Sequence, residues 1–120
     1  MITIIRSCAL IFSSLVVLTL LSCSSSPARV GIEGTLVGGP CTTTADCSQR
    51  CLTGGDYPEG MCTVSCTTDA DCPGGSNCIE KDDGVCLQTC NLPSDCRGGY
   101  NCKGKKNKAS GGESLVCTKD

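Results

Sequence analysis

Cysteine offers the most varied chemistry in this chain of 120 residues, which holds 14 cysteines and no histidine. A thiol can form a disulfide, bind a metal ion as a thiolate, or carry a lipid. Twelve cysteines lie between Cys41 and Cys117 at recurring intervals, whereas Cys8 and Cys23 stand apart near the amino terminus. This density of cysteine is typical of a disulfide scaffold made for an oxidising compartment.

The twelve clustered cysteines divide into three sets of four, which predict three tandem modules at residues 41–62, 66–86 and 90–117. The first gap inside a set is five residues in all three modules, and three residues join each module to the next. The second gap is three, five and five residues, and the third is ten, seven and fourteen. Four cysteines allow three pairings in each module, so the repeat alone leaves the connectivity open.

Short β-hairpins and turns are the elements that must position these cysteines. Each module closes on an apolar residue and a cysteine, a step expected in a strand that enters a hairpin. Modules 2 and 3 share Gly-Gly-x-Asn-Cys at 74–78 and 98–102, which predicts a tight turn because Gly and Asn tolerate positive φ. No segment shows a sustained helical period, so we expect little or no helix outside the amino-terminal segment. The predicted fold is small and disulfide-rich, with cross-links in place of a large apolar core.

Metal binding is the main alternative use of the cysteines. Three pairs have the three-residue gap seen in some zinc knuckles. The five-residue gaps recur just as regularly and histidine is absent, so disulfides are favoured over a metal-thiolate protein, and no cofactor is predicted. An aspartate before the second cysteine of each set, at Asp46, Asp71 and Asp95, could suggest calcium. One carboxylate at the same place in every module fits a turn cap better.

Catalysis and nucleic-acid binding have little support in the residues. The chain lacks a histidine base, a C-x-x-C pair and a glycine-rich phosphate loop, so we predict a protein that is not an enzyme. The formal net charge is −2, and it becomes −3 if Arg6 leaves with residues 1–22. That charge is too mild to indicate a nucleic-acid partner.

Two long segments between cysteines are the candidate binding loops. The loop Leu52–Met61 is expected to expose Tyr57 beside Pro58. The segment Lys103–Val116 begins with the one basic cluster of an acidic chain, which consists of Lys103, Lys105, Lys106 and Lys108. These lysines could meet an anionic protein or polysaccharide partner, and the alternative is a solvated polar loop.

The amino-terminal segment has the features of an export signal. An apolar run from Ala9 to Leu21 follows Arg6, and it is shorter than the roughly 20 residues that span a bilayer. It ends in Leu20-Leu21-Ser22-Cys23, which resembles the lipobox of bacterial lipoproteins. The resemblance implies a signal peptide at 1–22, acylation of Cys23, for example with palmitate, and sorting to the cell outer membrane, because Ser24 rather than Asp follows. A plain signal peptide and an uncleaved membrane helix are the alternatives.

The cysteine count agrees with a lipid on Cys23. Removing residues 1–22 removes Cys8 and leaves 13 cysteines, of which one must be unpaired if the others form disulfides. Lipidation of Cys23 leaves an even number for pairing. Residues 23–40, rich in Ser, Pro and Gly, are predicted to hold this anchor and a flexible linker. The strand-like piece Val30–Val37 could dock on module 1.

The cysteine spacing of module 1 resembles the opening of colipase-like and Dickkopf-like domains. That resemblance implies that the first cysteine of each module pairs with the third and the second with the fourth. The implied pairs are Cys41–Cys51, Cys47–Cys62, Cys66–Cys78, Cys72–Cys86, Cys90–Cys102 and Cys96–Cys117. The chain also looks like the short cysteine-repeat lipoproteins of some Gram-negative bacteria. We therefore predict a lipid-anchored, non-enzymatic envelope protein with a binding or structural role, and a secreted or surface inhibitor or a metal-thiolate protein as alternatives.

Overall fold

Three antiparallel β-hairpins follow one another along the chain in the computed structural model, which describes residues 28–119. The predicted signal peptide at 1–22 and Cys23 lie outside the described residues. The strands are β1 Arg50–Leu52, β2 Met61–Thr63, β3 Ser76–Ile79, β4 Val85–Gln88, β5 Asn101–Lys106 and β6 Glu113–Thr118. A 3₁₀ turn precedes each hairpin, at Thr44–Asp46, Asp69–Asp71 and Pro93–Asp95. The predicted fold class is confirmed, and none of the described segments is a helix long and apolar enough to cross a membrane.

Two disulfides staple each hairpin to the segment before it. The third and fourth cysteines of a module lie directly opposite each other on the two strands, as Cys78 and Cys86 do in module 2. They do not bond to each other, because each bonds to an earlier cysteine of its module. The six bridges are Cys41–Cys51, Cys47–Cys62, Cys66–Cys78, Cys72–Cys86, Cys90–Cys102 and Cys96–Cys117. These are the pairs that the resemblance in spacing implies.

The residues before each module pair with the closing strand of that module. In module 2 the N–H of Cys86 donates to the carbonyl of Val64 at 3.0 Å. In module 1 the N–H of Cys62 donates to the carbonyl of Gly39 at 2.8 Å, and the N–H of Gly38 donates back to Cys62 at 2.9 Å. Gly39 precedes Cys41 by the same two residues that separate Val64 from Cys66. The repeating unit therefore begins two or three residues before its first cysteine.

The flexible-linker prediction for residues 23–40 is wrong for its second half. The stretch from Val30 to Gly39 folds back on itself, with a parallel bridge between Val30 and Val37. Val37 is fully buried against Val64 and the cysteines of module 2. The glycines that argued for flexibility permit this close packing instead, because a Cβ on Gly34 or Gly39 would meet backbone atoms. The expectation that this piece docks is confirmed, and it contacts both module 1 and module 2.

The three modules share an apolar core, although the sequence offers few large apolar side chains and predicts that disulfides must supply most of the stability. Each module supplies only a few side chains, and the hairpins pack together so that these meet. The core consists of Leu52, Tyr57 and Met61 from module 1, Ile79, Val85 and Leu87 from module 2, and Tyr100, Val116, Cys90, Cys96 and Cys117 from module 3. Burial on this scale supplements the disulfides.

The loop between β1 and β2 joins the modules, and the predicted exposure of Tyr57 is wrong. The Tyr57 side chain is 7% exposed, and its hydroxyl donates to the carboxylate of Asp82 in module 2. On the other side, the carbonyl of Pro58 accepts hydrogen bonds from Tyr100 Oη at 3.0 Å and from Arg97 Nη2 at 3.3 Å. Burial and the Asp82 carboxylate raise the pKa of the Tyr57 phenol, which therefore stays neutral. This loop is a structural contact between modules rather than a free binding loop.

The Gly-Gly-x-Asn sequences form the predicted turns, with one difference. The second glycine of each, Gly75 and Gly99, has φ near +90°, at 87° and 89°. The asparagines Asn77 and Asn101 lie in β3 and β5 rather than in the turns. Asn77 Nδ2 donates to Ser114 Oγ at 3.2 Å, so its amide connects module 2 to module 3.

Candidate functional site

The sulfur atoms of each module form a cluster with metal-site dimensions. The Sγ atoms of Cys41, Cys47 and Cys62 all lie within 4.8 Å of one another, and the two other modules repeat this grouping. All of these sulfurs belong to disulfides. A metal ion binds the thiolate form of cysteine, which a disulfide does not offer. In this oxidised form the clusters are therefore pairs of neighbouring disulfides and not metal-ligand sets.

The repeated aspartates cap the 3₁₀ turns, as predicted from the sequence. Asp71 Oδ2 accepts hydrogen bonds from the backbone N–H of Thr67 at 2.8 Å and of Thr68 at 3.1 Å. Asp46 repeats this geometry with the two residues that precede its turn, and Asp95 does so too. These backbone hydrogen bonds lower the pKa of all three carboxyl groups, because they favour the ionised form.

Acid titration should weaken the three capped turns at the same time. A carboxyl group whose pKa is lowered in the folded state contributes stability above its unfolded pKa of about 3.9, and this contribution is lost as the pH falls through the folded pKa. We expect the backbone amide NMR signals of Thr42, Thr67 and Asn91 to titrate with midpoints below that value. Midpoints at or above it would contradict the capping role. Asp46→Asn provides the control, since it should remove the titration at Thr42 and leave the two other signals unchanged.

The basic segment is a β-hairpin rather than a loop. Strand β5 carries three of its lysines and pairs with β6 over six residues, from Asn101–Thr118 to Lys106–Glu113. Because side chains alternate along a strand, Lys103 and Lys105 lie on one face of the hairpin and Lys106 lies on the other. The sequence cluster is therefore split between two faces.

Three of the four lysines are engaged within the molecule. Lys106 Nζ lies 2.9 Å from a carboxylate oxygen of Glu80, and Lys108 Nζ donates to the carbonyl of Asp83 at 2.6 Å. Lys105 also has an intramolecular partner. Lys103 is exposed on β5 opposite Val116, and it is the lysine of this group that takes part in none of these contacts. An anionic partner would therefore meet Lys103 first, and would have to compete with existing contacts for the others.

Asn107 fixes the basic hairpin to module 2. It is 3% exposed, and its amide nitrogen donates to both carboxylate oxygens of Asp69 at 2.9 and 3.0 Å. Its amide oxygen accepts hydrogen bonds from the N–H groups of Ala109 and Ser110, both at 3.1 Å, and so shapes the turn between β5 and β6. One side chain therefore holds the turn and docks it.

Replacing Asn107 by Ala should destabilise the hairpin tip by about 2 kcal/mol, because a charge-assisted hydrogen bond and two turn contacts are lost together. Denaturant unfolding of the disulfide-intact protein measures this loss. Amide exchange should accelerate at 107–112 more than in module 1. Asn101→Ala is a matched control at the other end of the same hairpin, since the Asn101 side chain is exposed and donates to the carbonyl of Lys119. Equal effects of the two changes would contradict a special role for Asn107.

The sequence reasoning did not anticipate the residues that join the modules. Arg97 lies 4.9 Å from the centre of the Tyr100 ring and donates to Tyr100 Oη at 3.0 Å. Lys81 lies 5.2 Å from the centre of the Tyr57 ring. Tyr57 and Tyr100 are the two tyrosines of the chain, and Phe12 in the predicted signal peptide is the one phenylalanine. Aromatic side chains bury a large apolar area, so a chain with only two tyrosines in its cysteine modules is expected to bury both. This was the one feature of the sequence from which their burial could have been predicted.

No protein-family model, curated protein or solved structure matches the chain. The fold and the internal repeat are therefore the basis for assigning a role. Cys23, the predicted lipid-attachment residue, lies outside the described residues.

Proposed function

We propose that this chain is a lipid-anchored, non-enzymatic protein of the cell envelope, held on the outer membrane by acyl chains on Cys23. The observation that carries the proposal is the complete pairing of the twelve cysteines between Cys41 and Cys117. After removal of residues 1–22, only Cys23 would then remain without a disulfide partner, and it stands at the modified position of the lipobox-like sequence.

The folded body is suited to a binding or structural role. Six disulfides and a shared core give a surface whose exposed groups are held in fixed positions, which lowers the entropic cost of binding. Exposed Lys103 on β5 is the residue of the basic hairpin best placed for an anionic protein or polysaccharide.

Replacing Cys23 by Ala should release the protein from the membrane fraction, since the acyl chains would have no attachment atom. Intact-mass measurement of the native protein should show a chain that begins at Cys23, has lost twelve hydrogens to six disulfides, and carries several acyl groups. Several chains are needed because one acyl chain gives only marginal binding. Ser24→Ala is the control, and it should stay acylated. A native protein without acyl groups in the medium would instead favour the secreted inhibitor or effector.

A further inference from the structure

The position at which the chain enters the fold is fixed by backbone contacts. The carbonyl of Arg29 accepts hydrogen bonds from the N–H groups of Leu36 at 3.0 Å and Val37 at 3.4 Å. Val30 packs on module 2 beside Gly75, where an added Cβ would lie 3.7 Å from Val30 Cγ1. Among the described residues, contacts with the folded body therefore begin at Arg29, before the first cysteine module that the sequence predicts.

This early start leaves a short tether between Cys23 and the body. Five residues, 24–28, separate Cys23 from Arg29. Fully extended, the six steps between these two residues span at most about 20 Å, and a flexible chain of this length averages roughly 13 Å. An anchored body would thus be held within reach of the lipid headgroups, with Arg29 and its surroundings nearest to them.

Three large apolar side chains are exposed in the described part of the chain, namely Ile32 at 44%, Leu92 at 60% and Leu115 at 54%. The internal repeat shows that the fold does not require the two leucines. Leu92 occupies the position held by Thr43 and Thr68 in the other modules, and Leu115 the position held by Gly60 and Gly84. Because both side chains are largely exposed, they contribute little to the core.

Both leucines connect to the place where the chain enters. The carbonyl of Gly75, which neighbours Val30, accepts a hydrogen bond from the N–H of Thr89 at 2.9 Å. The next residue, Cys90, donates its N–H to the carbonyl of Leu115 at 3.2 Å, and Leu92 follows two residues later. A short series of direct contacts therefore leads from Val30 to Leu115 and Leu92.

The exposed charges around these residues are of both signs. Arg29 is exposed where the chain enters, and Glu113 is exposed two residues before Leu115, on the same face of β6. Lys103 pairs with Val116 and therefore lies on the opposite face of the hairpin from Leu115. Glu33 is the exposed acidic residue of the docked segment. Lys106 and Lys108, by contrast, are directed to Glu80 and Asp83, near the turn between β3 and β4.

We propose that the end of the fold defined by Arg29, Ile32, Leu92 and Leu115, here called the membrane end, rests on the bilayer to which Cys23 is anchored. This inference depends on the proposed lipid anchor. Exposed apolar side chains insert into the headgroup region of a bilayer, and the anchor supplies a high local concentration, so weak contacts are sufficient. The short tether favours the bilayer over a soluble protein as the occupant of this surface.

Tryptophan scanning tests the proposal directly, because the chain contains no tryptophan. Single variants Ile32→Trp, Leu92→Trp and Leu115→Trp of the full acylated protein would be reconstituted in vesicles of phosphatidylethanolamine and phosphatidylglycerol that contain lipids brominated on the acyl chains. Thr53→Trp is the matched control. Thr53 is exposed on the loop between β1 and β2. Tyr57 of that loop contacts Asp82 in the turn after β3, whereas Gly75 and Val30 lie at the start of β3.

Bromine should quench the three membrane-end tryptophans at least about twofold more than Trp fluorescence in the Thr53→Trp control, since interfacial side chains reach the acyl boundary. Equal quenching at all four positions, or stronger quenching in the control, would overturn the membrane end. Intact mass of the same samples verifies six disulfides and reports acylation separately. Without acyl groups the anchor itself fails, and the membrane end fails with it. Acylated protein without selective quenching would reject the membrane end and leave the anchor standing.

Discussion

Full reduction of the six disulfides should unfold all three modules. Each bridge closes a loop with a sequence separation between 10 and 21 residues. In the chain-entropy model a loop of about 15 residues contributes about 3 kcal/mol. Six such contributions, even if far from additive, exceed the net stability of about 5–15 kcal/mol that is usual for a domain. The shared core, to which each module supplies only a few side chains, cannot replace them.

The dispersion of backbone amide signals in NMR spectra measures this unfolding, with intact mass to verify a gain of two hydrogens per bridge. The hairpin signals of all three modules should collapse together, because their core is common. An incubation without reductant is the control. Persistence of protected amides in β3 and β4 after complete reduction would show that the apolar core suffices, and would contradict the expectation.

The internal repeat and the cysteine spacing were sufficient to predict the three modules and their hairpins. Local signals such as the apolar residue before the fourth cysteine identify strands, because hairpin geometry depends on a few adjacent residues. The capping role of Asp46, Asp71 and Asp95 was also accessible, since the donors lie within four residues. These features depend on contacts that are close in sequence.

The contacts between modules were not accessible, because they join residues that no local pattern links. Tyr57 and Asp82 are 25 residues apart, and Tyr100 and Pro58 are 42 apart. Single apolar residues in separate hairpins form no periodic pattern, so the sequence does not predict that they share a core. The contact of the docked segment with module 2 was missed for a related reason. Its glycines are typical of linkers, and only the packed structure reveals that they permit close backbone approach.

A comparison of the three modules distinguishes residues that hold the fold together from residues that have no structural role in it. The Thr63 hydroxyl, for example, donates to the carbonyl of Cys86 at 2.8 Å and connects modules 1 and 2 in a fully buried position. Residues of this kind have a complete structural explanation. No contact among the described residues explains why Leu92 and Leu115 are leucines. Both are apolar and exposed, whereas the matching positions of the other modules hold Thr and Gly. The third module is therefore the one that departs from the common scaffold on its surface.

The fold requires glycine at position 84 for two reasons, its backbone conformation and the lack of space for a Cβ. Its φ is 101°, a conformation that residues with a Cβ rarely adopt. A Cβ there would also overlap the carbonyl oxygen of Cys66, while the carbonyl of Gly84 accepts a hydrogen bond from the N–H of Cys66 at 3.0 Å. Cys66 begins the module and is bonded to Cys78, so the overlap cannot be relieved by moving a flexible side chain.

Gly84→Ala should therefore cost about 3 kcal/mol or more, the range of large single-site effects that combine strain with steric overlap. Denaturant unfolding with the disulfides intact measures it, and a lowered yield of protein with six correct bridges is expected on oxidative refolding. Gly74→Ala is the matched control in the same module, since a Cβ there meets nothing within 4 Å. That change should be nearly neutral. Similar midpoints for the two variants would mean that module 2 can shift β4 away from Cys66 without penalty.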